Sequence, residues 1–284
     1  MVAIGLAATA CGTPEAPRVV GPGAERALVG PAGVCDEAVE TDDTIEVVAA
    51  HVVVDGSLGA LCFGEADESL VAAWNELAAI TPPHQLSDLA VLVGFTSDDE
   101  EDGQTLAFVN PLDAEGLAFQ MSINLPAFDD DRDEASLTLA HELTHVFTQT
   151  PAQLDRSADP GTCTTHFNGD GCYLPGSLMA DWIDEFWPSD ELATVDPDAD
   201  VYPEDGEERC DLDDSFFGPY AATNPEEDFA ESFSAFVYGV EARTEGQQAK
   251  LTWLAGRPGL AEFRVRAADA GLGPLDNTFE VCGS

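Results

Sequence analysis

The sequence predicts an α+β fold, in which a mixed β-sheet forms the N-terminal half of the domain and helices form most of the C-terminal half. Segments that alternate or are rich in β-branched residues are concentrated between residues 45 and 124, as expected of strands. After residue 133, apolar residues recur every three or four positions, which is the spacing of buried helix faces. The change of period along the chain separates the two halves.

The individual elements follow in a simple order. Strands are predicted at 45–54, 89–95, 105–110 and 117–124, and helices at 68–80, 133–147, 178–187, 226–239, 247–255 and 260–270. An extended peptide pairs readily with the edge strand of such a sheet. We expect that edge at 117–124 or at its neighbour.

The N-terminus resembles a bacterial lipoprotein signal. Residues 2–10 are apolar and end in small residues, Cys11 follows, and residues 12–17 have the composition of a linker. The resemblance implies cleavage before Cys11 and lipidation there. We therefore expect a signal segment at 1–11, a flexible tether at 12–43 and one metal-binding domain at 44–284. The expected location is the bacterial cell envelope or outer membrane, with secretion as the alternative.

The charge of the chain limits its partners. Ten basic residues stand against 55 acidic ones, which gives a formal charge of −45, and Lys250 is the only lysine. Such a surface repels nucleic acid and anionic lipid head groups, so we expect no nucleic-acid partner, membrane contact only through a lipid anchor, and a monomer. The acidic runs at 97–102, 129–134 and 196–214 are interpreted as solvated loops.

Six cysteines remain after Cys11, and an even number in an exported chain favours disulfides over free thiols. Only Cys163 and Cys172 are near enough in sequence for a pairing to be proposed. Zinc binding by these cysteines is disfavoured because no pair has the C-x-x-C spacing.

The most informative motif is H-E-L-T-H at residues 141–145. On a helix, His141 and His145 lie one turn apart on one face and can bind one metal ion. Two imidazoles and a third donor suit Zn²⁺, with water at the remaining position of a catalytic site. Glu142 would then be the general base for that water.

The third ligand is not fixed by this motif. No third histidine follows at the metzincin spacing. A second helix is predicted after Asn224 and Pro225, which are good cap and first-turn residues, and Glu227 and Glu231 share one face of it. Either carboxylate could be the ligand or a solvated helix residue, and Glu227 also occupies the capping-box position. His166 is a further candidate, although an exposed loop histidine is the simpler interpretation.

Together, H-E-L-T-H and the later segment N-P-E-E-D-F-A-E-S-F resemble the gluzincins, which are glutamate-ligand zinc metallopeptidases. The most similar patterns are those of zinc-binding metallopeptidases of bacterial lipoproteins and of the anthrax lethal factor catalytic domain. The resemblance implies a zincin-like fold with Glu227 as the third ligand and Glu231 as a carboxylate that orients a ligand histidine. It also implies that the hydroxyl of Tyr220 faces the metal and stabilises an oxyanion.

A second metal site is a weaker hypothesis. Asp196, Asp198 and Asp200 alternate as Ca²⁺ ligands do, but Val201 stands where an EF-hand loop needs glycine, so a solvated acidic loop is favoured.

The sequence therefore predicts a zinc-dependent endopeptidase acting on peptide or protein substrates. The alternative is a non-catalytic envelope binding protein or adhesin with structural zinc. Glu142 favours the enzyme because a structural site has no need of a base.

Overall fold

The computed structural model describes Cys35 and residues 45–97, 105–197, 199 and 201–283. The predicted signal segment with Cys11, and the tether apart from Cys35, lie outside the described residues. So do Asp198 and Asp200 of the predicted calcium loop.

A five-stranded mixed sheet forms the N-terminal half of the described domain. Its strands are β1 (Ile45–Val54), β2 (Ser57–Gly64), β3 (Leu89–Ser97), β4 (Ala107–Pro111) and β5 (Phe119–Asn124). The spatial order is β2-β1-β3-β5-β4, with β3 and β5 parallel and the other neighbours antiparallel. This sheet, followed by helices, confirms the predicted α+β class.

Strands β2 and β4 lie at the two edges of the sheet. Residues 117–124, the first candidate for the edge, form β5, which lies between β3 and β4 and is buried at every position. A short turn, closed by a hydrogen bond from Leu112 N to Ala118 O, joins β4 to β5 and makes the two strands antiparallel. The neighbouring segment therefore takes the edge, as the second candidate required.

Strand β2 was not predicted. Its sequence, S-L-G-A-L-C-F-G, contains two glycines and no β-branched residue, so its strand propensity is weak. The signal that could have found it is the dipeptide Asp55-Gly56, which joins β1 to β2 with φ angles of 49° and 69°. Two consecutive positive φ values are those of a type I′ hairpin turn.

The rest of the described chain is mainly helical. Its α-helices are α1 (Glu68–Ile80), α2 (Leu125–Asp130), α3 (Arg132–Thr148), α4 (Leu178–Phe186), α5 (Ser189–Leu192), α6 (Pro203–Leu212), α7 (Pro225–Val237), α8 (Glu245–Ala255) and α9 (Pro258–Asp269). Within the described ranges, none of these helices is long and apolar enough to cross a membrane.

Aromatic packing holds α3 against α7. The Phe147 ring lies edge-on to the rings of Phe229 and Phe233, with centroids 6.3 and 5.5 Å away. All three side chains are almost completely buried, and burial of each contributes roughly 2–3 kcal/mol. Because Phe147 lies two residues after His145, this contact brings the H-E-L-T-H turn of α3 alongside the first turns of α7.

Helix α6 corrects the interpretation of residues 196–214 as a solvated loop, because the helix lies within that range. Pro203 occupies the first turn, and the Asp205 carboxylate accepts a hydrogen bond from Tyr202 N at 3.1 Å. These are local helix-start signals within an acidic run. Cys210 points inward and is 4% exposed, so the helix has a buried face that charge alone conceals.

Within the described part of the chain three disulfides are present, joining Cys35 to Cys62, Cys163 to Cys172 and Cys210 to Cys282. The proposed pairing of Cys163 with Cys172 is confirmed. The other two bridges link residues 27 and 72 positions apart, which no local spacing could have predicted. Disulfides of this kind are typical of exported proteins.

Candidate metal centre

Helix α3 places the two motif histidines side by side. Its N-terminus is capped by Asp131, whose carboxylate accepts hydrogen bonds from Asp133 N and Glu134 N, both at 3.1 Å. Two turns further on, His141 Nε2 and His145 Nε2 lie 3.3 Å apart. Both side chains are largely buried, with 8% and 14% exposed. The predicted face of the helix therefore exists.

Helix α7 brings a carboxylate to the same point. Asn224 caps the helix by accepting a hydrogen bond from Glu227 N at 2.9 Å, as predicted. Glu227 Oε2 lies 3.0 Å from His141 Nε2 and 3.7 Å from His145 Nε2. The side chain is directed to the imidazoles, so the structure does not favour the capping-box interpretation.

These three donor atoms fit a metal ion. They lie within 4.8 Å of one another, and His141, His145 and Glu227 are the one group of three or more such residues that meets this criterion in the described part of the chain. Glu227 Oε2 is buried without a hydrogen-bond partner. An acceptor left in this state is costly, and a shared cation would satisfy it together with both imidazoles.

The electrostatics of the site couple these groups strongly. Burial opposes the charged form of His141, but the attraction of the Glu227 and Glu231 carboxylates outweighs that effect and raises its pKa well above the ordinary value. Burial likewise opposes ionisation of Glu227, but the two imidazoles outweigh it and lower the pKa of this carboxyl group. In the metal-free protein, the site therefore favours an ionised carboxylate beside protonated imidazole.

Glu231 lies on the other side of the His141 ring. Its Oε1 atom is 3.0 Å from His141 Nδ1, whereas Glu227 approaches Nε2. A carboxylate that accepts from Nδ1–H fixes the ring orientation and leaves the Nε2 lone pair free. The two glutamates, one turn apart on α7, thus contact different nitrogens of one imidazole.

Glu142 lies beside the three donors without joining them. Its Oε1 atom is 4.0 Å from His141 Nε2, and the side chain is 10% exposed. Burial raises the pKa of Glu142, and the charges of Glu227 and Glu231 act in the same direction. A carboxylate with a raised pKa that lies close to the three metal donors, but is not one of them, has the properties of a proton acceptor.

Tyr220 completes this group of side chains. Its ring centroid is 5.9 Å from that of His141. Burial raises the pKa of the Tyr220 hydroxyl, and the charge of Glu227 and a hydrogen bond to that carboxylate add to the effect. The hydroxyl therefore stays protonated and can donate a hydrogen bond at the site.

His166 is not an exposed loop residue, and that expectation is wrong. The side chain is 9% exposed and its Nε2 atom lies 3.8 Å from Glu226 Oε1, with the ring stacked on Tyr173 at 6.4 Å. Burial lowers the His166 pKa to about 4 and raises that of Glu226 to about 7. The disulfide-closed loop folds inward, which its polar composition did not indicate. His166 is not part of the group of metal donors.

No protein-family model and no curated protein sequence matches the chain. Among solved structures, the chain is similar to a protein from Bacteroides caccae, with 16% identity and a TM-score of 0.28. That protein is described, by inference, as a zinc-binding metallo-peptidase. The match covers 71% of this chain but only 64% of that one, less than two thirds of its length. A TM-score this low does not establish a shared fold.

Proposed function

We propose that this chain is a zinc-dependent metallopeptidase of zincin-like fold. The proposal rests on one observation above all, the convergence of His141, His145 and the unpartnered oxygen of Glu227. Donor atoms about 2.0–2.2 Å from one Zn²⁺ in a tetrahedral site are roughly 3.4 Å apart. The separations of 3.0, 3.3 and 3.7 Å between these atoms agree with that geometry.

Each residue then has a distinct role. Zn²⁺ bound by His141, His145 and Glu227 would lower the pKa of water toward neutrality and polarise the substrate carbonyl. Glu142 accepts the proton of the attacking water and delivers it to the leaving amine. The Tyr220 hydroxyl donates a hydrogen bond to the developing oxyanion, and Glu231 orients the His141 ring.

The substrate class follows from the edge of the sheet. An extended peptide can add to an edge strand such as β4 through main-chain hydrogen bonds, which give affinity with little sequence preference. We therefore propose peptide or protein substrates and endopeptidase activity. We further propose that the protein is exported, which the three disulfides support because they suit an oxidising compartment. The proposed anchor to the envelope through lipidated Cys11 rests on the resemblance of residues 2–17 to a lipoprotein signal.

The proposal is tested by measuring the zinc content of the purified chain and its cleavage of casein and of a peptide library. We expect one zinc ion per chain, cleavage that stops when a chelator removes the metal, and recovery when zinc is restored. Bound zinc without cleavage of any substrate would instead favour a binding protein with structural zinc. Cleavage that survives complete removal of metal would contradict both.

A further inference from the structure

The turn formed by residues 219–224 carries two groups of the proposed site and is called here the Tyr220 turn. Tyr220 lies near its start, and Asn224, which caps the glutamate helix α7, is its last residue. Within the turn, Ala222 N donates to Pro219 O at 3.0 Å, and Thr223 Oγ1 donates to Tyr220 O at 2.7 Å. The position of Tyr220 therefore depends on what holds this turn.

The side chain of Arg209 on α6 holds the backbone of the Tyr220 turn. Its Nη1 atom donates to the carbonyl oxygens of both Ala222 and Thr223, and its Nη2 atom donates to Thr194 Oγ1 at 3.0 Å. The guanidinium lies over the Trp187 ring, 5.0 Å from its centroid. Although acidic residues outnumber basic ones by 55 to 10 in the chain, this cation is directed to two neutral carbonyls. Its Nε atom lies 4.0 Å from a carboxylate oxygen of Glu191.

The packing of α6 on the turn is equally close. A β-carbon at Gly206 would lie 1.8 Å from Pro219 O, so helix and turn meet backbone to backbone. Next to Arg209, Cys210 is bonded to Cys282, which ties α6 to the C-terminal segment. The helix is thus fixed at its end and fitted to the turn along its side.

From these contacts we infer that Arg209 is a positioning residue, which holds the Tyr220 turn so that the tyrosine hydroxyl faces the metal centre. The inference rests on the proposed function. Arg209 is outside the group of metal donors, and it acts through the carbonyls of Ala222 and Thr223. Lysine cannot replace it, since a single ammonium lacks the rigid, planar set of donors that reaches two carbonyls and Thr194 together.

A double-mutant cycle tests this inference. We expect Tyr220→Phe to lower kcat about 100-fold, as loss of an oxyanion donor does. Arg209→Gln and Arg209→Lys should each lower kcat about 10-fold, with KM changed by less than about 2-fold and with zinc retained. In the Tyr220→Phe background, Arg209→Gln should have almost no further effect, because residues that act as a unit are not additive.

Arg257→Gln is the matched control. Arg257 also lies over an indole ring, that of Trp253, and also donates to a backbone carbonyl, but it belongs to the α8–α9 connection. Its substitution should leave kcat unchanged. Additive losses in the double variant would overturn the inference, as would loss of zinc in Arg209→Gln, which would place the effect at Glu227. A Tyr220→Phe variant with unchanged kcat would overturn the inference as well.

Amide hydrogen exchange supplies a readout that needs no substrate. In the metal-free protein, Arg209→Gln should accelerate exchange at residues 220–224 at least about 10-fold relative to Arg257→Gln, without change in α3. Unchanged exchange in the Tyr220 turn would show that Arg209 does not hold it. If the wild-type chain proves to bind zinc without hydrolysing peptides, the proposed function fails, and the exchange result still decides whether Arg209 holds the turn.

Discussion

At the scale of single residues, the site depends on two glutamates that contact different nitrogens of the His141 ring. Glu227 approaches Nε2 of His141 and Glu231 approaches Nδ1, each at 3.0 Å. A metal ligand and a carboxylate that orients a ligand contribute unequally to affinity, because only the first is lost from the coordination shell.

Substitution should separate these two roles. We expect Glu227→Ala to lose most of the bound zinc and Glu231→Ala to weaken zinc affinity about 10- to 100-fold. Glu262→Ala, at an exposed position of α9, is the control and should bind zinc as the wild type does. Competition with a chromogenic chelator measures all three. Tighter zinc binding by Glu227→Ala than by Glu231→Ala would reverse the assignment.

Zinc binding should depend on pH because the metal must displace a proton. The raised pKa of His141 means that this imidazole is protonated in the metal-free protein above its ordinary pKa of 6.5. That proton stabilises the metal-free fold below the unfolded-state pKa, and the stabilisation is lost as pH rises through the folded-state pKa. Apparent zinc affinity should therefore increase with pH above about 6.5.

Calorimetry in buffers of different ionisation enthalpy measures the protons released on zinc binding. We expect release at neutral pH that diminishes as the solution is made more alkaline. Zinc affinity that does not change between about pH 6 and pH 9 would contradict a protonated His141.

Sequence alone predicts part of this site. The spacing of His141 and His145 determines their common face, and Glu142 lies beside them in sequence. The choice between Glu227 and Glu231 requires the crossing of α3 and α7, which no local pattern encodes. The burial of His166 was missed because it depends on how the loop closed by Cys163 and Cys172 folds against Glu226.

At the scale of elements, the period of apolar residues predicts long elements well. Helix α1 and strand β1 have the predicted bounds, Glu68–Ile80 and Ile45–Val54, because α1 buries one face against the core and β1 is buried on both faces over residues 49–53. Strand β2 and helix α6 were missed for opposite reasons. The first is rich in glycine and partly exposed, and the second carries many charges on its exposed side.

The glutamate helix α7 is held by a buried ion pair that sequence could not predict. Asp228, which follows Glu227, is completely buried and accepts a hydrogen bond from Lys250 Nζ at 2.6 Å. The indole nitrogens of Trp182 and Trp187 donate to its other oxygen at 3.1 and 3.0 Å. The only lysine of the chain thus joins α8 to α7, with three donors on one carboxylate.

Breaking this pair should cost far more than replacing it. We expect Lys250→Met to lower the free energy of unfolding by about 3–5 kcal/mol, because Asp228 is left buried and uncompensated. Adding Asp228→Leu should recover much of that loss. The control is Arg257→Met. The partner of Arg257, Asp181, is 51% exposed, so loss of this ion pair should lower the free energy of unfolding by less than about 1 kcal/mol.

Denaturant unfolding of the zinc-loaded variants measures these differences. If Lys250→Met costs no more than Arg257→Met, the ion pair is not what holds α7 to α8.

At the scale of the whole molecule, the formal charge of −45 dominates. Several of the basic side chains are committed to internal contacts, among them Arg209 at the Tyr220 turn and Lys250 at Asp228. Few remain to neutralise the acidic surface. Self-repulsion of this size destabilises the compact state when ionic strength is low.

The melting temperature should therefore rise with salt. Going from 0.01 M to 1 M sodium chloride shortens the Debye length from about 30 Å to about 3 Å, which screens the repulsion. Exposed ion pairs, which salt weakens, are limited by the ten basic residues. The measurement is thermal unfolding with zinc held at saturation. A melting temperature that falls or stays constant would show that the acidic groups lie too far apart for their repulsion to matter.

Glu142→Gln is the variant that decides whether a metal held by His141, His145 and Glu227 serves hydrolysis with Glu142 as the base. Because Glu142 is outside the group of donors, this variant should bind one zinc ion with wild-type affinity while peptide hydrolysis falls by about 100-fold to 10,000-fold. Zinc content and hydrolysis should be measured on the same preparation. Retained hydrolysis in a fully zinc-loaded Glu142→Gln protein would show that Glu142 is not the base.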